Sequence, residues 1–418
     1  MKIQFISNSG CLVYLNTGRK ILIDPWITEG IYIGSWMHSP PLKRDYLDLQ
    51  LSNDDFLYIS HVHSDHLDVK FLEKINKNLK VILHNHQGNF VKKCLSKIGF
   101  KKFIEIESKC SKILDNEDLK ITMFGPFTKH PFENDTGVGN IIDSSCLFEC
   151  GGFSFFHVND NKLNINAVKE FNLEGLNPDA LLINYNPAGP YPSCFKNIDI
   201  IKKLEIANNV GKRCLENTID VLKLIKPKIV IPISGNYKIN KEIDIDGTIN
   251  KSLGHISIRE ASKMINSVGL DSIILEESQI LDFEDFRVNY DDKLKLNSQK
   301  NLPNSVTYLS DKLPDTEELL CNLKKAISAM KDRWQKYGGT DIKTRITLEI
   351  DKKNQVIISE GENSYCDLKI YMDKRLLNEI INRKLFFDDA QIGCHIKFKR
   401  SPDIYEYDAM TMLQFLHL

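Results

Sequence analysis

The sequence His-Val-His-Ser-Asp-His at positions 61–66 decides the fold. It follows Phe56–Ser60, a largely apolar run that predicts a buried strand, and a helix is predicted from about Val69. Three imidazoles and one carboxylate therefore lie together at a strand-to-helix turn. Imidazole is a ligand for zinc, iron or manganese, and a carboxylate suits a second, harder ion. The alternative is a polar turn with incidental histidines, which four ligand-type side chains in this order disfavour.

The spacing of these side chains predicts a site for two metal ions. His61 and His63 are two positions apart, so in an extended chain they point the same way and can bind one ion together. Asp65 and His66 fall where the chain turns and can face a second ion. Two ions roughly 3.5–4 Å apart can hold and activate a water molecule. Asp65, close to that water, would steer it or accept its proton.

HVHSDH is the HxHxDH signature of the metallo-β-lactamase superfamily, which the sequence resembles. The chain is more specifically similar to the branch that holds the CMP-N-acetylneuraminate hydroxylases, and more distantly to the ascorbate-6-phosphate lactonases. The similar stretches are Asp24-Pro25-Trp26, Gly34-Ser35-Trp36 and Asn159-Asp160-Asn161. The resemblance covers about residues 1–290. It continues more weakly through Asp389–Gly393 and Arg400–Glu406.

The resemblance implies an α/β fold, the αββα metallo-β-lactamase sandwich of two sheets flanked by helices, over residues 1–287. Residues 290–312 are polar and turn-rich, as in a linker or wrapping segment. We expect a smaller C-terminal α+β domain over residues 288–418. Its predicted helices are Asp315–Lys336, Lys374–Arg383 and Asp403–Leu416, and its predicted strands are Thr344–Ile350, Val356–Glu360, Asp367–Met372 and Ile392–Phe398.

Composition excludes several classes of protein. The 418 residues are 42% hydrophobic and 27% charged with a net charge of −1, which gives no reason to expect nucleic acid or an anionic membrane as a partner. No stretch approaches 18 apolar residues, and the chain starts with strand-like sequence, so we expect a cytoplasmic protein. The ten cysteines are scattered without a CxxC and are expected to be reduced. No CxH…CxxH pair occurs, so no Rieske centre is expected within this sequence.

The resemblance implies further metal ligands. His130 lies on a polar loop where the superfamily's third metal-binding histidine usually comes, although it could instead contact substrate or cap the loop. Asp160 follows a predicted strand and would be the carboxylate that bridges the two ions. Asp24 would hold the metal loop by hydrogen bonds rather than bind metal, or it is a plain turn aspartate before Pro25.

One departure from the superfamily pattern is visible. A last metal-binding histidine is expected near Ser234-Gly235-Asn236, and none is there. Either the second ion has one ligand fewer, or only one ion binds tightly. This departure weakens the case for ordinary dizinc hydrolysis and leaves a position that substrate or dioxygen could fill.

Substrate contacts are expected from irregular segments around the site. Residues 27–49 carry Tyr32, Trp36 and Tyr46, aromatics that either line a pocket or cover the core. Residues 185–192 contain three prolines and a glycine, so they form a rigid loop that suits substrate positioning or simply connects two elements. The candidate substrate contacts are Trp36, Asn159, Asn161, Tyr185, Tyr191 and Asn236.

The favoured function is a metal-dependent hydrolase with a mono- or dinuclear site, in which Asp65 and Asp160 take part in catalysis. One or two divalent ions are expected, with zinc favoured and iron possible, and the substrate would be a small sugar-like or phosphorylated metabolite. The resemblance implies an alternative, an iron-dependent hydroxylase of a nucleotide-activated or amino sugar that needs an external reductase. A non-catalytic binding protein is disfavoured because the first ligand cluster is intact. The C-terminal domain carries no catalytic set, and we expect it to support a homodimer or to close over the site.

Overall fold

The computed structural model describes residues 1–86, 88–114, 118–127, 142–290, 293–296, 306–362 and 365–418. Among these, no helix combines the length and apolar character needed to span a bilayer. The strands are β1 (Lys2–Ser7), β2 (Gly10–Tyr14), β3 (Lys20–Ile23), β4 (Trp36–His38), β5 (Phe56–Tyr58), β6 (Lys80–His84), β7 (Lys102–Ile106), β8 (Cys110–Leu114), β9 (Leu119–Phe124), β10 (Ser145–Cys150), β11 (Phe153–His157), β12 (Ala180–Asn184), β13 (Ile229–Ile233), β14 (Tyr237–Ile239), β15 (Gln279–Asp282), β16 (Val288–Tyr290), β17 (Thr344–Glu349), β18 (Gln355–Ser359), β19 (Cys366–Tyr371) and β20 (Lys397–Ser401). The helices are α1 (Ile31–Gly34), α2 (Val69–Leu72), α3 (Phe90–Lys97), α4 (Ile165–Glu170), α5 (Ile200–Ile225), α6 (Thr248–Lys251), α7 (Ile258–Ser267), α8 (Thr316–Lys336), α9 (Lys374–Ile381), α10 (Phe387–Ile392) and α11 (Tyr407–Leu413).

Two sheets form the centre of the molecule. The first has the order β16-β15-β1-β2-β3-β5-β6-β7, and the second has the order β13-β12-β11-β10-β9-β8. Side chains such as Phe5, Phe56, Met123 and Phe148 from both sheets pack into one buried apolar cluster. Successive residues of a strand point to opposite faces, so the neighbouring Leu57 packs on the outer face of the first sheet.

Helices cover both outer faces. Leu72 of α2 and Leu95 of α3 pack on the first sheet, whereas Leu215 of α5 and Ile265 of α7 pack on the second. The layers are therefore helix, sheet, sheet, helix, and the predicted αββα architecture is confirmed. Strand β16 extends the first sheet to Tyr290, three residues past the predicted end of the first domain.

The C-terminal part is an α+β unit with the sheet order β18-β17-β19-β20. Its apolar side chains share one buried cluster with Trp26, Trp36 and Tyr237 from the first part of the chain. Most of its predicted elements are present. The predicted strand Ile392–Phe398 is wrong, because helix α10 ends at Ile392 and β20 begins only at Lys397. Short apolar runs of this kind do not distinguish a strand from a helix.

The parallel strands position the candidate site. Strands β3 and β5 are parallel neighbours in the first sheet, and β11, β12 and β13 are parallel neighbours in the second. Their carboxyl ends lead to the loops that carry Asp24, His61, Asp160, Asn184 and Ser234. Neighbouring parallel strands end at the same edge of a sheet, so polar residues from distant positions meet there.

Candidate metal centre

The HVHSDH segment forms a tight turn shortly after β5. The backbone N–H groups of His66 and Leu67 both donate to the carbonyl of His63, at 3.0 and 2.8 Å. Asp68 then caps α2, because its carboxylate accepts a hydrogen bond from the N–H of Phe71 at 3.0 Å. The turn directs the first and last histidines of the segment inward, where each is 1% exposed.

Three side chains converge within a distance that one metal ion could bridge. The ligand atoms of His61, His66 and Asp160 all lie within 4.8 Å of one another. His66 Nε2 is 3.4 Å from Asp160 Oδ2 and 3.5 Å from Asp65 Oδ2. Imidazoles and carboxylates directed at one point are a donor set for zinc, iron or manganese. The residues present therefore fit a divalent ion. His130, the predicted third histidine ligand, lies outside the described residues.

Asp24 supports this turn from behind and is fully buried. One of its carboxylate oxygens accepts the Ser60 N–H at 2.8 Å, and the other accepts the Ser60 hydroxyl at 2.6 Å and lies 2.9 Å from His66 Nδ1. Ser60 Oγ is also 2.9 Å from His61 Nδ1. Because both Nδ1 atoms are engaged in this way, the Nε2 atoms remain for the centre, as is usual for histidine metal ligands.

Opposite charges balance each other in the cluster. Burial would lower the pKa of His66, but Asp65, Asp160 and Asp24 outweigh it and raise that pKa well above its usual value. Burial would raise the pKa of Asp160, but the charge of His66 holds it below its usual range. Burial and the neighbouring His66 lower the pKa of His61. His66 Nε2 thus faces the carboxylates at the point where a metal cation would bind.

A chain of polar side chains fixes Asp160. Asn184, at the end of β12, donates from Nδ2 to Asp160 Oδ1 at 2.8 Å. Ser234, just after β13, donates from Oγ to Asn184 Oδ1 at 2.6 Å. Ser234 lies at the strand end where the resemblance implied a last histidine. At this position the structure has the Ser234 hydroxyl. It orients the amide of Asn184, which in turn orients the carboxylate of Asp160.

His63 faces the C-terminal unit. Its Nδ1 is 2.8 Å from His61 Nε2, and its Nε2 is 3.0 Å from Asp388 Oδ2. Burial would lower the pKa of His63, but Asp388 raises it to about 9. Asp388 was not predicted from the sequence, because its partner is 325 positions away and no local pattern marks it. The weak resemblance over the adjacent Asp389–Gly393 was the one available signal.

Tyr32 is a second functional candidate that the sequence analysis placed only among the aromatics of its loop. Its hydroxyl donates to Asp65 Oδ1. Tyr32 and Ile33 lie in α1 with φ values of 49° and 62°. Left-handed backbone is costly for side chains other than glycine, and most so for a β-branched one such as Ile33. Such strain is often retained at functional sites, and here it places a hydroxyl on a carboxylate of the centre.

A small cavity lies beside the carboxylates of Asp65 and Asp160. Its volume of about 20 Å³ is room for about one water molecule. Trp36, one of the predicted substrate contacts, lines this cavity and stacks on Tyr237 with ring centroids 3.5 Å apart. His157 supports the wall from inside, because its Nε2 donates to the carbonyl of Ser9 at 2.8 Å.

Other predicted substrate contacts are engaged within the protein. Asn159 donates to the carbonyl of Ser144 at 3.3 Å, and Asn161 donates to the carbonyl of Gly125 at 2.9 Å. Both are 1% exposed. These two asparagines therefore hold the loop around Asp160.

Three more predicted contacts lie away from the cavity lining. The hydroxyl of Tyr185 donates to the carbonyl of Ile256 at 3.2 Å. The hydroxyl of Tyr191 donates to Asp403 at 2.6 Å. Asn236 donates its backbone N–H to the side chain of Asn8 at 3.0 Å, and its carbonyl accepts from Ser39 at 2.9 Å. Their side chains or backbones thus connect loops to one another and do not face the Asp65–Asp160 cavity.

Comparison with known proteins finds similarity over short segments. No protein-family model matches the chain. A protein named as a Rieske 2Fe-2S iron-sulfur protein from Mycobacterium tuberculosis (strain CDC 1551 / Oshkosh) is 30% identical over 164 residues, which are 38% of this chain and 30% of that protein. The cytidine monophosphate-N-acetylneuraminic acid hydroxylase of Danio rerio is 39% identical over 61 residues, which are 14% of this chain and 10% of the hydroxylase. The match thus spans less than a third of each relative.

A solved structure extends the comparison. Igni18, a metallo hydrolase from the hyperthermophilic archaeon Ignicoccus hospitalis KIN4/I, is 18% identical, with a TM-score of 0.43, over 67% of this chain and 96% of its own. Three observations agree with one another: the HxHxDH turn, the two-sheet sandwich and the local match to the hydroxylase. The chain resembles the metallo-β-lactamase superfamily. The local identity to the Danio rerio protein is a likeness to the hydroxylase branch over 61 residues.

Proposed function

We propose that this protein is a metal-dependent hydrolase that activates water for attack on a small sugar-like or phosphorylated metabolite. The observation that carries the proposal is the buried convergence of His61, His66 and Asp160, with ligand atoms within 4.8 Å of one another. Buried charges of this kind are costly unless they are paired or bind metal. The adjoining cavity has room for a water molecule next to Asp65 and Asp160.

His61, His66, Asp65 and Asp160 would hold one or two divalent ions, and His63 would join them through Nδ1. A bound zinc or iron ion would act as a Lewis acid and lower the pKa of its water towards ~7. The protein itself supplies orientation. Asp24 and Ser60 direct the imidazoles.

Asp65 is placed to steer the water and accept its proton. The Tyr32 hydroxyl holds Oδ1, while Oδ2 faces His66 at 3.5 Å. The carboxylate borders the cavity, within reach of a molecule held there. Asn184 keeps Asp160 turned to the same cavity. Trp36 and Tyr237 stack on each other and form an apolar wall of this cavity.

Elemental analysis tests the proposal first. The protein would be purified without air or added metal from cells supplied with both iron and zinc. Two zinc ions per chain, followed by turnover of lactones, phosphodiesters or sugar amides in a screen, would support hydrolysis. A chain that binds neither metal, even after reconstitution, would overturn the proposal and favour a non-catalytic binding protein.

A second candidate is an iron-dependent hydroxylase of a nucleotide-activated or amino sugar, with an external electron donor. The local identity to the Danio rerio hydroxylase favours it, and so does Ser234 at the position of the expected histidine. Iron in the purified protein, with substrate-dependent oxygen consumption in the presence of a reductant, would select this candidate. Zinc with no oxygen consumption would reject it.

A further inference from the structure

Helix α10 brings a carboxylate to His63 from the C-terminal unit. Asp388 Oδ2 is 3.0 Å from His63 Nε2. The other oxygen of this carboxylate, Oδ1, accepts hydrogen bonds from two side-chain amides, so Asp388 acts as an acceptor and His63 donates through Nε2.

This contact determines which nitrogen of His63 is available to a metal. A histidine that binds metal is neutral and carries one proton, and a proton on Nε2 leaves the lone pair on Nδ1. His63 Nδ1 lies 2.8 Å from His61 Nε2. The Nδ1 of His61 is engaged with Ser60 at 2.9 Å. The two remaining nitrogen lone pairs therefore meet at the centre.

Asp388 is itself held in place by two amides. Gln391 donates from Nε2 to Asp388 Oδ1 at 2.7 Å, and Gln414 of the final segment donates to the same oxygen at 3.2 Å. These two hydrogen bonds to Oδ1 fix the orientation of the carboxylate and therefore the position of Oδ2, which faces His63.

Three hydrogen bonds attach the end of α10 to the loop that also carries Tyr32. The Ser35 hydroxyl donates to the carbonyl of Gly393 at 2.6 Å, and Trp36 Nε1 donates to the carbonyl of Ile392 at 3.2 Å. His395 Nε2 lies 2.9 Å from the carbonyl of Tyr32. The cavity wall and the carboxylate partner of His63 are therefore parts of one contact between the two halves of the chain.

We propose that Asp388 is a positioning residue of the metal centre, which keeps His63 Nδ1 free for metal and makes metal affinity depend on the docking of α10. The inference rests on the metal site of the proposed function and goes beyond it, because it assigns part of that site to the C-terminal unit. Removing such a partner of a ligating histidine typically weakens metal binding 10–100-fold.

The test measures zinc affinity by competition with a chelator for wild type, Asp388→Ala and Asp388→Asn. The alanine variant should bind zinc about 10–100-fold more weakly. The asparagine variant should lose less, because its amide oxygen can still accept the His63 proton while Gln391 and Gln414 rotate their amides. Asp367→Ala is the matched control, since Asp367 is an exposed carboxylate on β19 of the same unit, and its affinity should be unchanged.

Nitrogen-15 NMR of the zinc-loaded wild type gives a second reading that needs no variant. The expected signature is a proton on His63 Nε2 and none on Nδ1, and the opposite tautomer would overturn the inference even if the alanine variant does not fold. Equal zinc affinity in wild type and folded Asp388→Ala would also overturn it. A wild-type protein that binds no zinc or iron would instead refute the proposed function itself.

Discussion

Replacing Asp24 by asparagine should switch the tautomer of His66. The Ser60 N–H can only donate, so the amide oxygen of the new side chain must take the place of Asp24 Oδ1, 2.8 Å away. The amide nitrogen then replaces Oδ2 and faces His66 Nδ1 at 2.9 Å. His66 must accept there, and its proton moves to Nε2, the atom that faces Asp160.

The size of the effect follows from that one hydrogen bond. Metal binding to the variant must remove the proton from Nε2 and leave two buried donors facing each other, at a cost of about 1–3 kcal/mol. A factor of ten in affinity corresponds to about 1.4 kcal/mol. We therefore expect zinc to bind about 5–150-fold more weakly. Loss of charged hydrogen bonds should also lower the free energy of unfolding by about 2–3 kcal/mol.

Chelator competition for zinc and urea unfolding of the metal-free protein measure the two quantities. The matched control is Asp55→Asn, because Asp55 is 3% exposed and accepts the N–H groups of Lys20 and Ser52 at 2.8 and 2.7 Å. It lies before β5, at the opposite end of that strand from the metal turn. The control should lose stability and keep its zinc affinity. Wild-type zinc affinity in Asp24→Asn would refute the tautomer argument, and an equal loss in the control would show a global effect.

Three further predictions test the centre, the packing and the titration of the structure. Asp160→Ala removes a side chain that reaches the shared point of the cluster, so elemental analysis should find less metal per chain, and unchanged stoichiometry would contradict its role as a ligand. Gly211→Ala would place a Cβ 2.2 Å from the carbonyl oxygen of Gly254, so urea unfolding should show a loss of about 1–3 kcal/mol, and an unchanged midpoint would mean that this helix–loop contact can relax. Burial and then Asp388 raise the pKa of Asp389 to about 7 in the folded protein, above ~3.9 in the unfolded chain. The folded state therefore binds this proton more tightly, and its contribution to stability is lost as pH rises from about 4 through about 7. Metal-free Asp389→Asn should gain stability relative to wild type over that range, and a parallel pH dependence of the two unfolding curves would contradict the assignment.

The parts of the fold that rest on local sequence were predictable. The turn formed by the HVHSDH segment needs only a buried strand before it and a helix start after it. Residues 56–69 contain these three parts in order. Strand β12 was expected at Ala180–Asn184, where it occurs. Asp160 was predicted from the resemblance, because the superfamily carries an aspartate just after this strand, and its role as a metal ligand stays a prediction.

The parts that rest on long-range packing were not predictable. Tyr185 belongs to a segment with three prolines and a glycine that suggested substrate positioning. Its hydroxyl donates to the carbonyl of Ile256, which lies far along the chain. Asp388 carries no local signal, because its role exists only once α10 has docked. The strand predicted at Ile392–Phe398 failed for a related reason: which short apolar segment pairs with β19 is decided by the sheet, and β20 pairs Phe398 with Ile370.

The contact between His63 and Asp388 also bears on how the protein is made. Ribosomes add about 5–20 residues per second. The 325 positions between the two side chains therefore correspond to about 16–65 s of synthesis at that rate. Strand β1 pairs early with β2, but its other edge stays unpaired almost as long, because β15 begins only at Gln279. For most of its translation the nascent chain thus exposes an unpaired sheet edge and a His63 that lacks its carboxylate partner. We expect metal to bind at full affinity only after the last helices have left the ribosome.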